Sequence, residues 1–344
     1  MDIMKALVWE GPFRVSIKEK ERPCPKNGEV LVKTKSVGVC GSDLEIYRGG
    51  FAQAVPPLVM GHEACGIVEE VTEGVTNVQV GEPVVIDPGI FCGECEFCRK
   101  GSYWQCDHRG ILGMQGQDGA YAEYFVAHHR SCFPLPKGVS WDEAALIDIV
   151  ADPLHAMDMI PLQIGETVAV FGPGPGGICF VQLAKLAGAS LVILVGTREE
   201  RLALGRELGA DKTLEAGKGN VIQRILEITE GRGVDVSIEA SGSVEALSDA
   251  FKVARKQGRV MVFGIYSQRA SLDMQDMHRR ELTVFGSSGC PWSMPRAIDL
   301  VATRRVRVAP MITHRVDLEG LERLFMDGII EERKEGYIKG VLLL

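Results

Sequence analysis

The chain has 344 residues, 46% of them hydrophobic and 24% charged, with a formal net charge of −8. That length is too great for one comfortable core and predicts two domains. The acidic balance argues against a nucleic-acid partner, which draws on clustered Lys and Arg, and no apolar run reaches the roughly 20 residues that span a bilayer.

The basic runs Arg279-Arg280 and Arg304-Arg305-Val306-Arg307 are short and read as solvated faces. Met1-Asp2-Ile3-Met4-Lys5 lacks the zones of a signal peptide, so a cytoplasmic address is expected. In that compartment ten cysteines suggest thiols or metal ligands over a disulfide framework. Forty glycines predict tight turns and close backbone approaches.

The first 150 residues read as β-rich. Residues 29–34 alternate, and residues 64–71 form a second strand candidate. Two pieces in this region carry possible metal ligands: Gly38-Val39-Cys40-Gly41-Ser42-Asp43 and Gly61-His62-Glu63. Each alone is also explained by a buried cysteine or a satisfied core histidine. Cys92, Cys95, Cys98 and Cys106 then form C-x2-C-x2-C-x7-C. Thiolates at such spacing converge on one tetrahedral ion, and four of them close it, so the role is structural. Free thiols, disulfides and an iron–sulfur cluster are the competing readings; the wide last spacing and the missing downstream Pro disfavour the bacterial ferredoxin run.

From about residue 165 strands and helices alternate. Strands are predicted at 167–171, 191–195, 234–238 and 259–263, with helices at 177–187, 199–208 and 244–254. Such alternation means a parallel sheet covered on both faces. Gly172-Pro173-Gly174-Pro175-Gly176-Gly177 fits G-x-G-x-x-G between strand and helix, with Gly172, Gly174 and Gly177 at the glycine positions. At the end of the second strand, where an NAD enzyme offers an acidic residue to the ribose, the chain reads Gly196-Thr197-Arg198. From about Ser287 the alternation stops, and the apolar C-terminus is expected to return to the first domain.

Taken together and in this order, these motifs resemble the zinc-containing medium-chain alcohol dehydrogenases, in the sorbitol, polyol and threonine dehydrogenase branch. The resemblance spans essentially the whole chain. It implies an α/β fold: a GroES-like β-rich catalytic domain at 1–155 completed by 288–344, and a doubly wound parallel-sheet Rossmann domain at 156–287. It implies two zinc ions per chain, one structural on the four clustered cysteines and one catalytic. Cys40 and His62 match the first catalytic ligands, Glu63 the third or exchanging carboxylate, and Asp148 the remaining acidic position, with Asp152 as its rival. Zinc there lowers the pKa of an alcohol, and the nicotinamide accepts the hydride. Ser42 matches the hydroxyl that relays the alcohol proton. Glu45 stands where the family often continues the relay with histidine, so the proton leaves through Glu45 or directly to water. Asp43 is read as orienting the ligands.

Gly196 with Thr197 and Arg198 resembles NADP(H)-preferring members. The implied substrate is a small-molecule alcohol or polyol, with L-threonine or another amino alcohol as the alternative. A non-catalytic NADPH-binding regulator is the second alternative. Residues 286–292 keep neither member of the Arg-Tyr pair of sorbitol dehydrogenases, which points away from sorbitol itself. The resemblance also implies a homo-oligomer, a tetramer. Phe51 and Trp292 are read as pocket, core or interface aromatics, and Cys24, Cys65, Cys132, Cys179 and Cys290 as small packing residues.

Overall fold

A computed structural model describes residues 2–332, 334 and 336–344; Met1, in the segment read for targeting, lies outside them. The chain divides into two compact units, Met1–Asp148 with Pro291–Arg304 and Val308–Leu344, and Ile149–Cys290 with Arg305–Arg307.

The first unit is built on the strand Glu29–Gly38. Antiparallel partners are Glu63–Val71 on one side and Tyr124–His128 and Lys339–Leu343 on the other. The apparent alternation at residues 29–34 is incomplete: Leu31 is as buried as Val30 and Val32, and only Lys33 is exposed. Both faces of this central strand are therefore covered, which explains its run of β-branched and small residues. Leu7, Val30, Val32, Ile46, Met60, Phe125 and Phe325 belong to the core that packs around it.

The second unit is a six-stranded sheet, parallel throughout. Across the sheet the strands run Lys212–Glu215, Leu191–Gly196, Thr167–Phe171, Val234–Glu239, Ala254–Val262 and Thr283–Gly286. In sequence order this is 3-2-1-4-5-6, the doubly wound arrangement that binds dinucleotides at the carboxyl ends beside its first strand. The helix after that strand runs Pro175–Leu186, two residues earlier than the apolar spacing predicts. Pro175 explains the shift, because its fixed φ suits the first helical turn, where an N–H has no partner.

Candidate metal centres and nucleotide site

Strand pairing assembles the first centre. Gly38 faces Glu63 across the sheet, so the chain leaving one strand through Cys40 meets the chain entering the next through His62. A Cβ on Gly38 would stand 2.0 Å from Glu63 Oε2, which is why glycine is needed there. Cys40 caps the helix Gly41–Tyr47 in an extended conformation and donates its N–H to Asp43 Oδ2 at 2.8 Å. One donor atom from each of Cys40, His62 and Glu63 lies within 4.8 Å of the others. Bonds of about 2.0–2.3 Å let one tetrahedral ion gather such a set, with a position left open.

The surroundings fit a cation. Asp43 is fully buried, and its Oδ1 faces His62 Nδ1 at 3.5 Å while Oδ2 also accepts from the Tyr121 hydroxyl at 2.7 Å. Burial opposes charge on Asp43, but His62, the Cys40 N–H and Tyr121 together hold its pKa below the ordinary value. With Nδ1 turned to this carboxylate, His62 has Nε2 left for an ion; that atom is 3.4 Å from Ser42 Oγ. Lys339, buried on the C-terminal strand, donates to Glu63 Oε1 at 2.7 Å. The same ammonium is ion-paired with Glu63 Oε2 at 2.5 Å, so it bridges both carboxylate oxygens. Burial works against the Lys339 charge, yet the Glu63 and Cys40 groups beside it raise its pKa above the usual range. Each buried carboxylate thus has one cationic partner: Asp43 the His62 ring, whose pKa is raised, against burial, by Asp43 and Cys40, and Glu63 the Lys339 ammonium. A metal ion beside Cys40 and Glu63 would take the place of a proton on His62.

Asp148 begins the helix Asp148–Met159 and is buried, with Asp152 one turn further on; neither is among the three converging ligands. Glu45 accepts from Arg48 at 3.1 Å, and none of its bonds among the described residues reaches Ser42.

The second centre is the cysteine loop. Sulfurs of Cys92, Cys95, Cys98 and Cys106 all lie within 4.8 Å of one another, with Cys92 Sγ 3.6 Å from Cys106 Sγ and 4.0 Å from Cys98 Sγ. A disulfide needs about 2.05 Å, and all four are free. Zn–S bonds of about 2.3 Å place tetrahedral sulfurs roughly 3.8 Å apart, which matches. Backbone N–H groups of Glu94 and Cys95 point at Cys92 Sγ, and that of His108 at Cys106 Sγ. The Glu94 and Cys95 bonds lower the Cys92 pKa, and backbone bonds from Cys98 and Asp107 bring Cys95 down to about 6, whereas burial and the neighbouring sulfurs push Cys98 up to about 12; two of the four favour the thiolate before any ion binds.

At the nucleotide loop each glycine has its own reason. Gly172 has φ +107°, and a Cβ there would meet Ser241 N at 2.8 Å. A Cβ on Gly177 would overlap the Gly172 carbonyl oxygen at 1.8 Å. One on Gly174 meets nothing within 4 Å, leaving the side from which a pyrophosphate approaches the helix N-terminus. Gly196 is buried, and a Cβ there would stand 2.2 Å from the Pro173 ring. Packing alone therefore forbids a side chain at 196. Arg198 caps the helix Glu199–Glu207, is half-buried, and has no ion pair among the described residues; Glu199 is engaged by Arg206.

Tyr121 and Lys339 escaped sequence reasoning, because they reach the centre from 78 and 276 positions away from Asp43 and Glu63 respectively. Of the five cysteines read as packing residues, Cys65, Cys132, Cys179 and Cys290 are buried, but Cys24 is exposed; it follows a proline and precedes another in a polar segment outside the sheets. Phe51 packs against the core of the first unit. Trp292 is 67% exposed and donates Nε1–H to the Gly101 carbonyl at 2.7 Å, within the cysteine loop.

The family described as alcohol dehydrogenase GroES-like domain matches residues 26–137, and that described as zinc-binding dehydrogenase matches 175–303. The sorbitol dehydrogenase of Halalkalibacterium halodurans is 33% identical over 94% of this chain and 95% of its own length. The D-arabitol-phosphate dehydrogenase of Enterococcus avium is 35% identical over 90% and 89%. A Sinorhizobium meliloti protein solved with NADP bound superposes with a TM-score of 0.94 at 31% identity, covering 100% of both chains. No helix among the described residues is long and apolar enough to cross a membrane.

Proposed function

The chain belongs to the zinc-binding medium-chain alcohol dehydrogenases, in the polyol and threonine dehydrogenase branch, and from that premise we propose that it oxidises a secondary alcohol of a polyol or sugar-like substrate with NADP(H) favoured over NAD(H). The observation that carries the reading is the convergence of Cys40, His62 and Glu63, with Asp43 behind the histidine. A zinc ion held by Cys40, His62 and Glu63 would supply Lewis acidity to the alcohol oxygen, and a nicotinamide cofactor on the Gly172–Gly177 loop would supply the hydride acceptor. The chain's residues do the rest. Asp43 fixes the His62 ring, Lys339 holds Glu63, and Ser42 Oγ takes the alcohol proton and passes it to solvent. Two zinc ions per chain belong to the reading, as do a catalytic region at 1–155 and 288–344 and a cofactor region at 156–287. So does a cytoplasmic homo-tetramer, which rests on the resemblance and is tested by sedimentation.

An oxidation screen of polyols, sugars, amino alcohols and simple alcohols with both cofactors tests the activity. Turnover of polyols supports the reading, preference for amino alcohols moves it to the threonine type, and two bound zincs without turnover favours a regulator.

Asp148 is the acidic group we assign beside the first metal, on the resemblance of Ala145-Leu146-Ile147-Asp148, seven residues before His155, to the family's remaining acidic position. Asp148→Asn should lower zinc affinity or activity about 10–100-fold. No effect there, with a large loss in Asp152→Asn, moves the assignment one turn along the helix.

Cofactor preference is tested at Arg198. A charge-assisted bond to a 2′-phosphate is worth about 1.5–3 kcal/mol, so Arg198→Ala should cut kcat/KM for NADP roughly 10–150-fold and spare NAD. Gly196→Asp is a poor test, because its side chain collides with Pro173 whatever the cofactor. Wild-type preference for NAD, with NADP use unchanged by Arg198→Ala, refutes the assignment.

A further inference from the structure

Glu239 ends the strand Val234–Glu239 and is fully buried, a costly place for a carboxylate unless it is hydrogen-bonded throughout. Its Oε1 accepts from the Ser241 N–H at 2.7 Å and from the Ser241 hydroxyl. Its Oε2 accepts from the Gly242 N–H at 3.2 Å and from the Tyr266 hydroxyl. Burial, and then the accepting carboxylate, raise the pKa of Tyr266, so that hydroxyl stays a donor.

In register Glu239 lies beside Phe171, the residue before Gly172, and beside Val262 on its other side. The loops leaving these three strands meet backbone to backbone. A Cβ on Gly172 would come within 2.8 Å of Ser241 N, and one on Gly242 within 2.3 Å of the Ile265 carbonyl oxygen. One on Gly264 would reach Gly242 N at 2.3 Å and Glu239 Oε2 at 2.5 Å. A single carboxylate therefore ties residues 240–242 to residues 263–266, and the first of these loops rests on the dinucleotide loop. Between Gly264 and Tyr266 the fold leaves Ile265 80% exposed at the carboxyl end of the sheet.

A dinucleotide lies across the switch point with one half on each side of the first strand. Gly196 ends the strand on one side and Thr197 and Arg198 follow it, so the strands ending at Glu239 and Val262 serve the other half. Resting on the nucleotide-binding reading, we propose that Glu239 and Tyr266 are positioning residues for the nicotinamide half of the cofactor. They act through the 240–242 and 263–266 loops, whose shape they set, and Ile265 supplies an apolar contact for the nicotinamide ring, uncharged once reduced.

The test compares full-length wild type, Tyr266→Phe and Glu239→Gln. NADPH binding is followed by its fluorescence and binding of 2′-phospho-ADP-ribose, which lacks only the nicotinamide, by calorimetry. Tyr266→Phe keeps the ring and loses one bond to a charged acceptor, so NADPH should bind about tenfold more weakly. Binding of 2′-phospho-ADP-ribose should stay within about twofold, since its adenosine half lies on the other side of the first strand and only its pyrophosphate meets the Gly172 loop. KM for the cofactor should rise more than kcat falls. Glu239→Gln turns one acceptor into a donor that faces a donor, and should give a larger loss with the same selectivity. Equal weakening of both ligands, or of neither, in Tyr266→Phe overturns the proposal. Wild type that binds neither ligand overturns the nucleotide-binding reading itself.

Discussion

Cys40→Ser should lower hydride transfer by about a thousandfold or more and leave the melting temperature nearly unchanged. Lewis-acid stabilisation by a catalytic metal is worth several kcal/mol, and about 1.4 kcal/mol is a factor of ten in rate. Cys40 is only half-buried, and its backbone N–H, which holds Asp43, survives the substitution. His62→Ala should abolish activity equally but is less clean. It leaves Asp43 Oδ1 buried without the group it faces, and breaking a buried pair costs about 3–5 kcal/mol. The measurement is single-turnover hydride transfer beside thermal unfolding for both variants. Full activity in Cys40→Ser would remove this cysteine from the chemistry.

Cys95→Ser should do the reverse, lowering stability more than the chemistry at the other centre. Structural zinc contributes roughly 10–16 kcal/mol of apparent folding energy in small finger peptides. Here only part of that is at stake, because the core around Leu7, Val32 and Phe125 does not include the cysteine loop. Its first half has little else to hold it, since Phe97 is exposed and the helix Glu96–Arg99 contains no buried residue, whereas Tyr103 and Trp104 are buried and anchor its other end. Local unfolding should also release Tyr103 and Trp292, which bond to each other at 3.1 Å. Tryptophan fluorescence and limited proteolysis should therefore report opening at 92–106 well before global melting. An unchanged melting temperature and proteolytic pattern would show that no metal staples the loop.

The parts of this molecule legible in its sequence are those in which chemistry and local geometry coincide. Four cysteines within one loop declare a tetrahedral site, and strand, glycine loop and helix in succession declare a phosphate cradle. The strand Leu191–Gly196 is a short apolar run, buried almost throughout, and reads plainly. Lys212–Glu215 and Thr283–Gly286 do not, because they are four-residue edge strands with too few positions to show a period. The partners that tune the site were invisible for another reason. Lys339 meets Glu63, and Tyr121 meets Asp43, only after the sheet has folded. Gly196 is the instructive case: its missing side chain suggests cofactor choice, and its contact with Pro173 shows a steric requirement acting at the same position.

The most direct test of a catalytic metal on Cys40, His62 and Glu63 is zinc content per chain in wild type, Cys40→Ser and Cys95→Ser, each measured beside activity. Two zincs in wild type are predicted. Cys40→Ser should keep one with no turnover, and Cys95→Ser should keep the other with residual turnover. A single zinc in wild type, unaffected by Cys40→Ser and lost in Cys95→Ser, would contradict the account.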